Sequence, residues 1–146
     1  MDMKAITKAI LYTDGASKGN PGPSAAGFVI YDLKKQVISE GSVYLGEMTN
    51  NQAEYNALLL GLERALDIGI KDLIVRMDSE LVVMQLKGAY KIKNEGLLPL
   101  YLEVRRKFTL FRSVKIEHVE RSLNKEADRL ANLAYKLDKK ATGDDR

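Results

Sequence analysis

The chain has 146 residues, the size of one domain, and its 23 Lys and Arg against 20 Asp and Glu leave a formal charge of +3, which permits an anionic partner without requiring one. It has no cysteine and a single histidine, which excludes disulfides, a thiolate nucleophile, a zinc finger and any centre built on two imidazoles, so its side chains could hold only a hard cation on oxygen ligands. No apolar run approaches the ~18 residues of a membrane span, and the first residues lack the apolar core of a signal peptide, so a soluble cytoplasmic protein with no membrane partner is expected.

Residues 9–14 form a short apolar stretch that reads as a strand, and the Gly and Pro cluster that follows, Gly15, Gly19, Pro21, Gly22 and Pro23, reads as a loop. Two more strand candidates, 25–31 and 36–45, flank a polar bend and make an antiparallel meander. Thr49 and Gln52 have capping-box spacing, so Thr49 opens a helix that runs to Ile68, ahead of Gly69. Residues 73–77 read as a buried strand. Asp78 or Ser79 then caps a short helix to Leu86, and a further helix covers 97–110 with Pro99 in its first turn. Residues 113–119 alternate as a last strand, and 124–137 close the chain as an amphipathic helix. The pattern predicts one α/β domain over residues 1–138, with a mixed five-stranded sheet flanked by helices, and a solvated tail over 139–146.

Four carboxylates stand where a surface charge is unexpected. Asp14 ends an apolar strand, although an Asp there also suits the start of a turn. Glu54 shares a helix face with Leu58, Gly61 and Ala65, the side that meets the sheet, and needs a partner there unless its stem reaches water at the edge. Asp78 follows another apolar strand, where a helix cap is the alternative, and Asp128 lies beside the apolar line Leu123, Ala127, Leu130, Ala131 and Ala134. Two strand ends and two helix faces can converge in such a sheet. Four ionised carboxylates cannot share a pocket uncompensated, and no cluster of Arg or Lys is evident to neutralise them. Divalent cations would do so: Mg²⁺ prefers carboxylate and water oxygens, and two ions about 3.5–4 Å apart clamp the attacking and leaving oxygens of a phosphoryl displacement.

The residues carrying these acids resemble type 1 ribonuclease H, in particular its short members. The run Tyr12-Thr13-Asp14-Gly15-Ala16-Ser17-Lys18-Gly19-Asn20-Pro21-Gly22-Pro23 is similar to that family's first-strand signature, and Thr49-Asn50-Asn51-Gln52-Ala53-Glu54-Tyr55 to its first-helix signature. Met77-Asp78-Ser79 resembles the third acidic site and Asn124-Lys125-Glu126-Ala127-Asp128-Arg129-Leu130-Ala131 the fourth, so the similarity covers about residues 8–138. The resemblance implies a ribonuclease H-like fold, three antiparallel strands then two parallel ones, and an endonuclease that cuts the RNA strand of RNA/DNA hybrids to 5′-phosphate and 3′-hydroxyl ends. It implies Asp14, Glu54 and Asp78 as ligands of two Mg²⁺ ions, with Mn²⁺ as a substitute, and Asp128 as a looser fourth ligand. Gly15 and Glu54 are implied near ribose hydroxyls, Asn20, Asn50 and Asn51 as donors to the minor groove, and Thr49 on a DNA phosphate. A monomer is expected, with double-stranded RNA a further candidate substrate. The rival reading is a module of the same fold that grips hybrid or double-stranded RNA without cutting it.

Longer family members carry a His in the loop before the last helix. Here His118 alternates within the last strand, and Arg121 takes the loop position; an Arg stays protonated, so its implied role is phosphate contact rather than proton transfer. The Lys-rich helix and loop of the longer members is also missing, its place taken by residues 87–96 with three Lys and no Trp. Because each phosphate contact adds about 0.7 to 0.9 to the log–log slope of affinity against salt, the hybrid affinity of this chain is expected to fall less steeply with salt than that of relatives bearing the basic insertion. Titrating hybrid binding across KCl concentrations checks this, and an equal or steeper slope contradicts it.

Overall fold

The computed structural model describes residues 5–142, with side chains as far as residue 138. Strands β1 (Lys8–Ser17), β2 (Gly22–Tyr31) and β3 (Val37–Met48) are followed by α1 (Asn50–Ile68), β4 (Asp72–Met77), α2 (Glu80–Leu86), α3 (Leu98–Phe108), β5 (Ser113–His118), a 3₁₀ turn (Arg121–Leu123) and α4 (Lys125–Thr142). The sheet order is β3-β2-β1-β4-β5. β1–β2 and β2–β3 are antiparallel, whereas β1–β4 and β4–β5 are parallel, which is the mixed sheet expected.

Alternation sorts the strands onto two faces. On one face Leu11, Phe28, Ile30, Leu73, Val75 and Met77 pack against Tyr55, Leu58, Leu62 and Ala65 of α1, with α2 and α3 completing this core through Val82, Val83, Leu86 and Val104. On the other, α4 lays Ala134 and Tyr135 over Ala25, with Ala16 beside them. The Tyr135 hydroxyl reaches the carbonyls of Ala16 (3.2 Å) and Pro23 (2.9 Å), and Ser42 Oγ donates to the Leu130 carbonyl, so α4 is tied to three strands. Among the described residues no helix is long and apolar enough to cross a membrane.

Several boundaries differ from expectation: β2 begins at Gly22 rather than 25, β3 ends at Met48 rather than 45 and α3 ends at Phe108 rather than 110. The ladder continues through Gly15, Ala16 and Ser17, paired with Ala26, Ala25 and Ser24, so that only the tip, closed by Lys18 N–H to the Pro23 carbonyl (2.8 Å), is loop. Small residues with little strand propensity are held extended here by packing rather than by preference. The closing helix runs to Thr142, past the end expected at residue 137, because no Gly or Pro interrupts it before Gly143. Residues 1–4 and the end of the expected tail, 143–146, lie outside the described residues.

Gly27 sets the closeness of α4. A Cβ there would lie 2.9 Å from Leu130 Cβ and closer still to the backbone of Ala127 and Ala131. Gly27→Ala is therefore expected to destabilise the fold by about 1–3 kcal/mol, the usual cost of overpacking, seen as a lower urea midpoint at unchanged slope.

Candidate active site

Thr13 and Met77 are register partners in the parallel β1–β4 pair, so the next residues, Asp14 and Asp78, stand side by side at the strand ends. Glu54 comes from the first turns of α1, whose buried stripe Glu54, Leu58, Gly61 and Ala65 faces the sheet as the helical spacing predicts. One carboxylate oxygen each from Asp14, Glu54 and Asp78 lies within 4.8 Å of the others. They open into a cleft of about 230 Å³ whose lining also includes Gly15, Asn50, Arg121 and Asp128.

Short-range contacts hold each contributor in place. Thr49 caps α1 through the expected box: its hydroxyl accepts from Gln52 N–H (3.2 Å) and the Gln52 side chain accepts from Thr49 N–H (2.9 Å). Asn20 Oδ1 accepts from the next orphan donor, Asn50 N–H, at 3.1 Å. Gly15 N–H donates to Glu54 Oε1, and a side chain on Gly15 would run into the Ala53–Glu54 backbone, so this close approach requires glycine. Ser79, rather than Asp78, caps α2, accepting from Val82 N–H at 3.4 Å. Asp78 is engaged elsewhere: Asn124 Nδ2 donates to Asp78 Oδ2 (2.8 Å) and to the Thr13 carbonyl (2.8 Å).

The electrostatics follow from burial. Asp14 is pushed up to about 9, first by desolvation and then by the neighbouring charges of Glu54 and Asp78. Desolvation also raises Glu54, to about 7, against the opposing pull of the Gly15 N–H. Arg121 does not neutralise the trio: its guanidinium is mostly exposed, and Nη2 lies 3.8 Å from Asp128 Oδ1. Converging hard oxygen donors whose mutual repulsion is left uncompensated by the protein fit a divalent cation.

Of the other residues singled out in the sequence, Asp128 is half-buried on the cleft wall, outside the trio, and Gly15, Asn50 and Arg121 also line the cleft. Asn20, Thr49 and Asn51 do not line it; they gather around the start of α1, where Asn20 and Thr49 act as caps. His118 ends β5, in the strand as expected, with Nε2 3.3 Å from the Asp78 carbonyl oxygen. Asn124 was not anticipated as a site residue. The signal available was its position opening the fourth acidic motif, where an Asn reads equally as a helix cap.

A family described as reverse transcriptase-like matches residues 12–134. The chain is 45% identical over 123 residues to a ribonuclease HI of Halobacterium salinarum, a match covering 84% of this chain and 62% of that protein, so the chain spans about three fifths of that relative's length. The crystal structure of a ribonuclease H1 from Halobacterium salinarum superposes with a TM-score of 0.87 at 43% identity, covering 88% of this chain and 98% of that one. LC11-RNase H1, crystallised with an RNA/DNA hybrid, superposes with a TM-score of 0.83 at 40% identity, covering 86% of this chain and 95% of that one.

A carboxyl whose folded pKa is raised contributes its full stabilisation below its unfolded pKa, and the contribution is lost progressively as pH rises to the folded one. For the metal-free protein this window runs from about 4 to about 9 for Asp14. Asp14→Asn is expected to raise metal-free stability at pH 8 by at least about 1.4 kcal/mol, the equivalent of one pKa unit, with the difference shrinking towards pH 4. Thermal melts in EDTA at the two pH values check this, and a destabilised variant at pH 8 contradicts it.

Proposed function

This chain belongs to the ribonuclease H family, and we propose that it is an endoribonuclease that hydrolyses the RNA strand of RNA/DNA hybrids, leaving 5′-phosphate and 3′-hydroxyl ends. The observation that carries the reading is the approach of the Asp14, Glu54 and Asp78 oxygens within 4.8 Å. In the proposal these three hold two divalent ions, Mg²⁺ or in its place Mn²⁺, with Asp128 as a looser fourth ligand. Such ions, when bound, lower the pKa of a water and stabilise charge on the attacking and leaving oxygens.

The chain's own residues do the orienting. Glu54 is aimed by the Gly15 N–H, and the Gly15 backbone and Glu54 together form the wall proposed to meet ribose hydroxyls, the groups that distinguish RNA from DNA. Asn20, Asn50 and Asn51 gather at the start of α1, where amide donors suit a minor groove. The Thr49 cap uses a hydroxyl lone pair, which leaves its proton to donate to a DNA phosphate. Arg121, exposed on the rim, supplies a permanent charge for phosphate. LC11-RNase H1 with its bound hybrid supports this substrate class. The reading extends to a cytoplasmic monomer, which a chain without cysteine suits.

Matched RNA/DNA, RNA/RNA and DNA/DNA duplexes incubated with and without Mg²⁺, with the ends mapped, test the proposal. The expected result is Mg²⁺-dependent cutting of the RNA strand of the hybrid, lost by orders of magnitude in Asp78→Asn while the fold is retained. Binding without cutting would favour a non-catalytic module, cutting without a divalent ion would remove the metal assignment, and cutting of RNA/RNA would widen the substrate class.

A further inference from the structure

We propose that Asn124 is the positioning residue of the acidic cleft, fixing the Asp78 carboxylate against the end of β1; the inference rests on the metal-dependent reading above. Asn124 is 1% exposed. Its Nδ2 donates to the Thr13 carbonyl and to Asp78 Oδ2, each at 2.8 Å. Both partners are oxygens without a hydrogen to give, so turning the amide over would set Oδ1 against two acceptors. The orientation is therefore determined by its contacts, and the fold keeps it although the buried Asn124 Oδ1 has no hydrogen-bond partner within the protein. Close packing does not account for it alone, because Asn124 also borders a cavity of about 360 Å³ between β1 and the start of α4.

The two acceptors belong to the heart of the site. The Thr13 carbonyl is part of the peptide group that continues into Asp14, so a single NH₂ joins the backbone of one acid to the carboxylate of another. The Asn124 carbonyl in turn accepts Asp128 N–H at 3.1 Å, opening the first turn of α4. One residue thus contacts the peptide before Asp14, the Asp78 carboxylate and the Asp128 N–H. The chemistry of an amide suits the task. A Lys or Arg here would hold Asp78 as well but would compete with a divalent ion for its charge. A neutral donor uses one lone pair of Oδ2 and leaves the negative charge available. Groups that orient a metal ligand in this way typically contribute 10–100-fold in metal affinity or activity.

Calorimetric titration of the full chain with Mg²⁺ in the absence of nucleic acid tests the proposal, using Asn124→Ala and the near-isosteric, donorless Asn124→Leu, with kcat and KM on hybrid measured in parallel. The expected result is cooperative folding of the variants, Mg²⁺ affinity lower by about 10–100-fold, and a fall in kcat at unchanged KM. If either folded variant binds Mg²⁺ as the parent does, the proposal is overturned. Failure of both to fold would overturn it too, by making Asn124 a structural residue. A parent chain that takes up no Mg²⁺ through Asp78, with Asp78→Asn as the control, would sink the metal reading itself, an outcome distinct from loss of the positioning role alone.

Discussion

Asp14, Glu54 and Asp78 bring oxygens within 4.8 Å of one another in a cleft where two of the three residues are almost wholly buried. Ionised, they repel, and burial removes the water that would screen them. Both effects act to raise the pKa values of Asp14 and Glu54. A group of like charges cannot hold itself together, so its geometry has to be imposed from outside, by elements whose stability does not depend on it. The rest of the architecture can be understood as the supply of that rigidity.

The supply comes from both faces of the sheet. Below the strand ends, Arg76 reaches across two neighbours, donating to Tyr12 Oη (2.8 Å) and to Glu117 (3.0 Å). These three are register partners in β1, β4 and β5, so the tie holds the parallel strands in line just before Asp14 and Asp78 emerge. On the α1 face the core locks the helix that delivers Glu54, with Tyr55 Oη donating to Gln85 (2.7 Å) to join α1 to α2. On the α4 face, Gly27 lets the last helix approach the sheet closely enough for Asn124 to reach between the strand ends. The Arg76–Glu117 ion pair lies one step below the acids, whose own hydrogen bonds from Gly15 and Asn124 are neutral. Among the described residues that line the cleft, the basic one is Arg121, exposed on the rim.

What the sequence made legible divides along the same line. The Thr49–Gln52 box and the helical row from Glu54 to Ala65 are local signals, and both appear in the structure where spacing placed them. A carboxylate in an otherwise apolar helical row is informative because burying it without a purpose is costly. The strand-end positions of Asp14 and Asp78 were also readable, but their adjacency depends on β4 pairing in parallel with β1, a long-range fact. Asn124 shows the limit most clearly. Its side chain makes contacts 111 and 46 residues away in sequence, while its local setting matches an ordinary helix cap. Likewise the choice between Asp78 and Ser79 as the cap of α2 could not be made locally, since Asp78 is occupied by a partner from the far end of the chain.

The acids are not held alike, and the difference bears on the proposed chemistry. Asp14, Glu54 and Asp78 are anchored by the strands, by Gly15 and by Asn124, so their separation is a property of the folded core. Asp128 is half-exposed on the first turn of α4, where its carboxylate adjoins Asp14 and helps to raise the Asp14 pKa, while the exposed Arg121 guanidinium lies 3.8 Å away on its outer side. A reaction in which a phosphodiester enters, takes up water and leaves as a 5′-phosphate end and a 3′-hydroxyl end needs some part of the site to yield as charge is rearranged. A contact of that length between exposed groups is weak and screened by solvent, so it can be exchanged for a phosphate or a cation without disturbing the sheet. The cleft therefore combines a fixed trio that sets where charge is concentrated with an adjustable pair at its mouth, carried by the 3₁₀ turn and the first turn of α4.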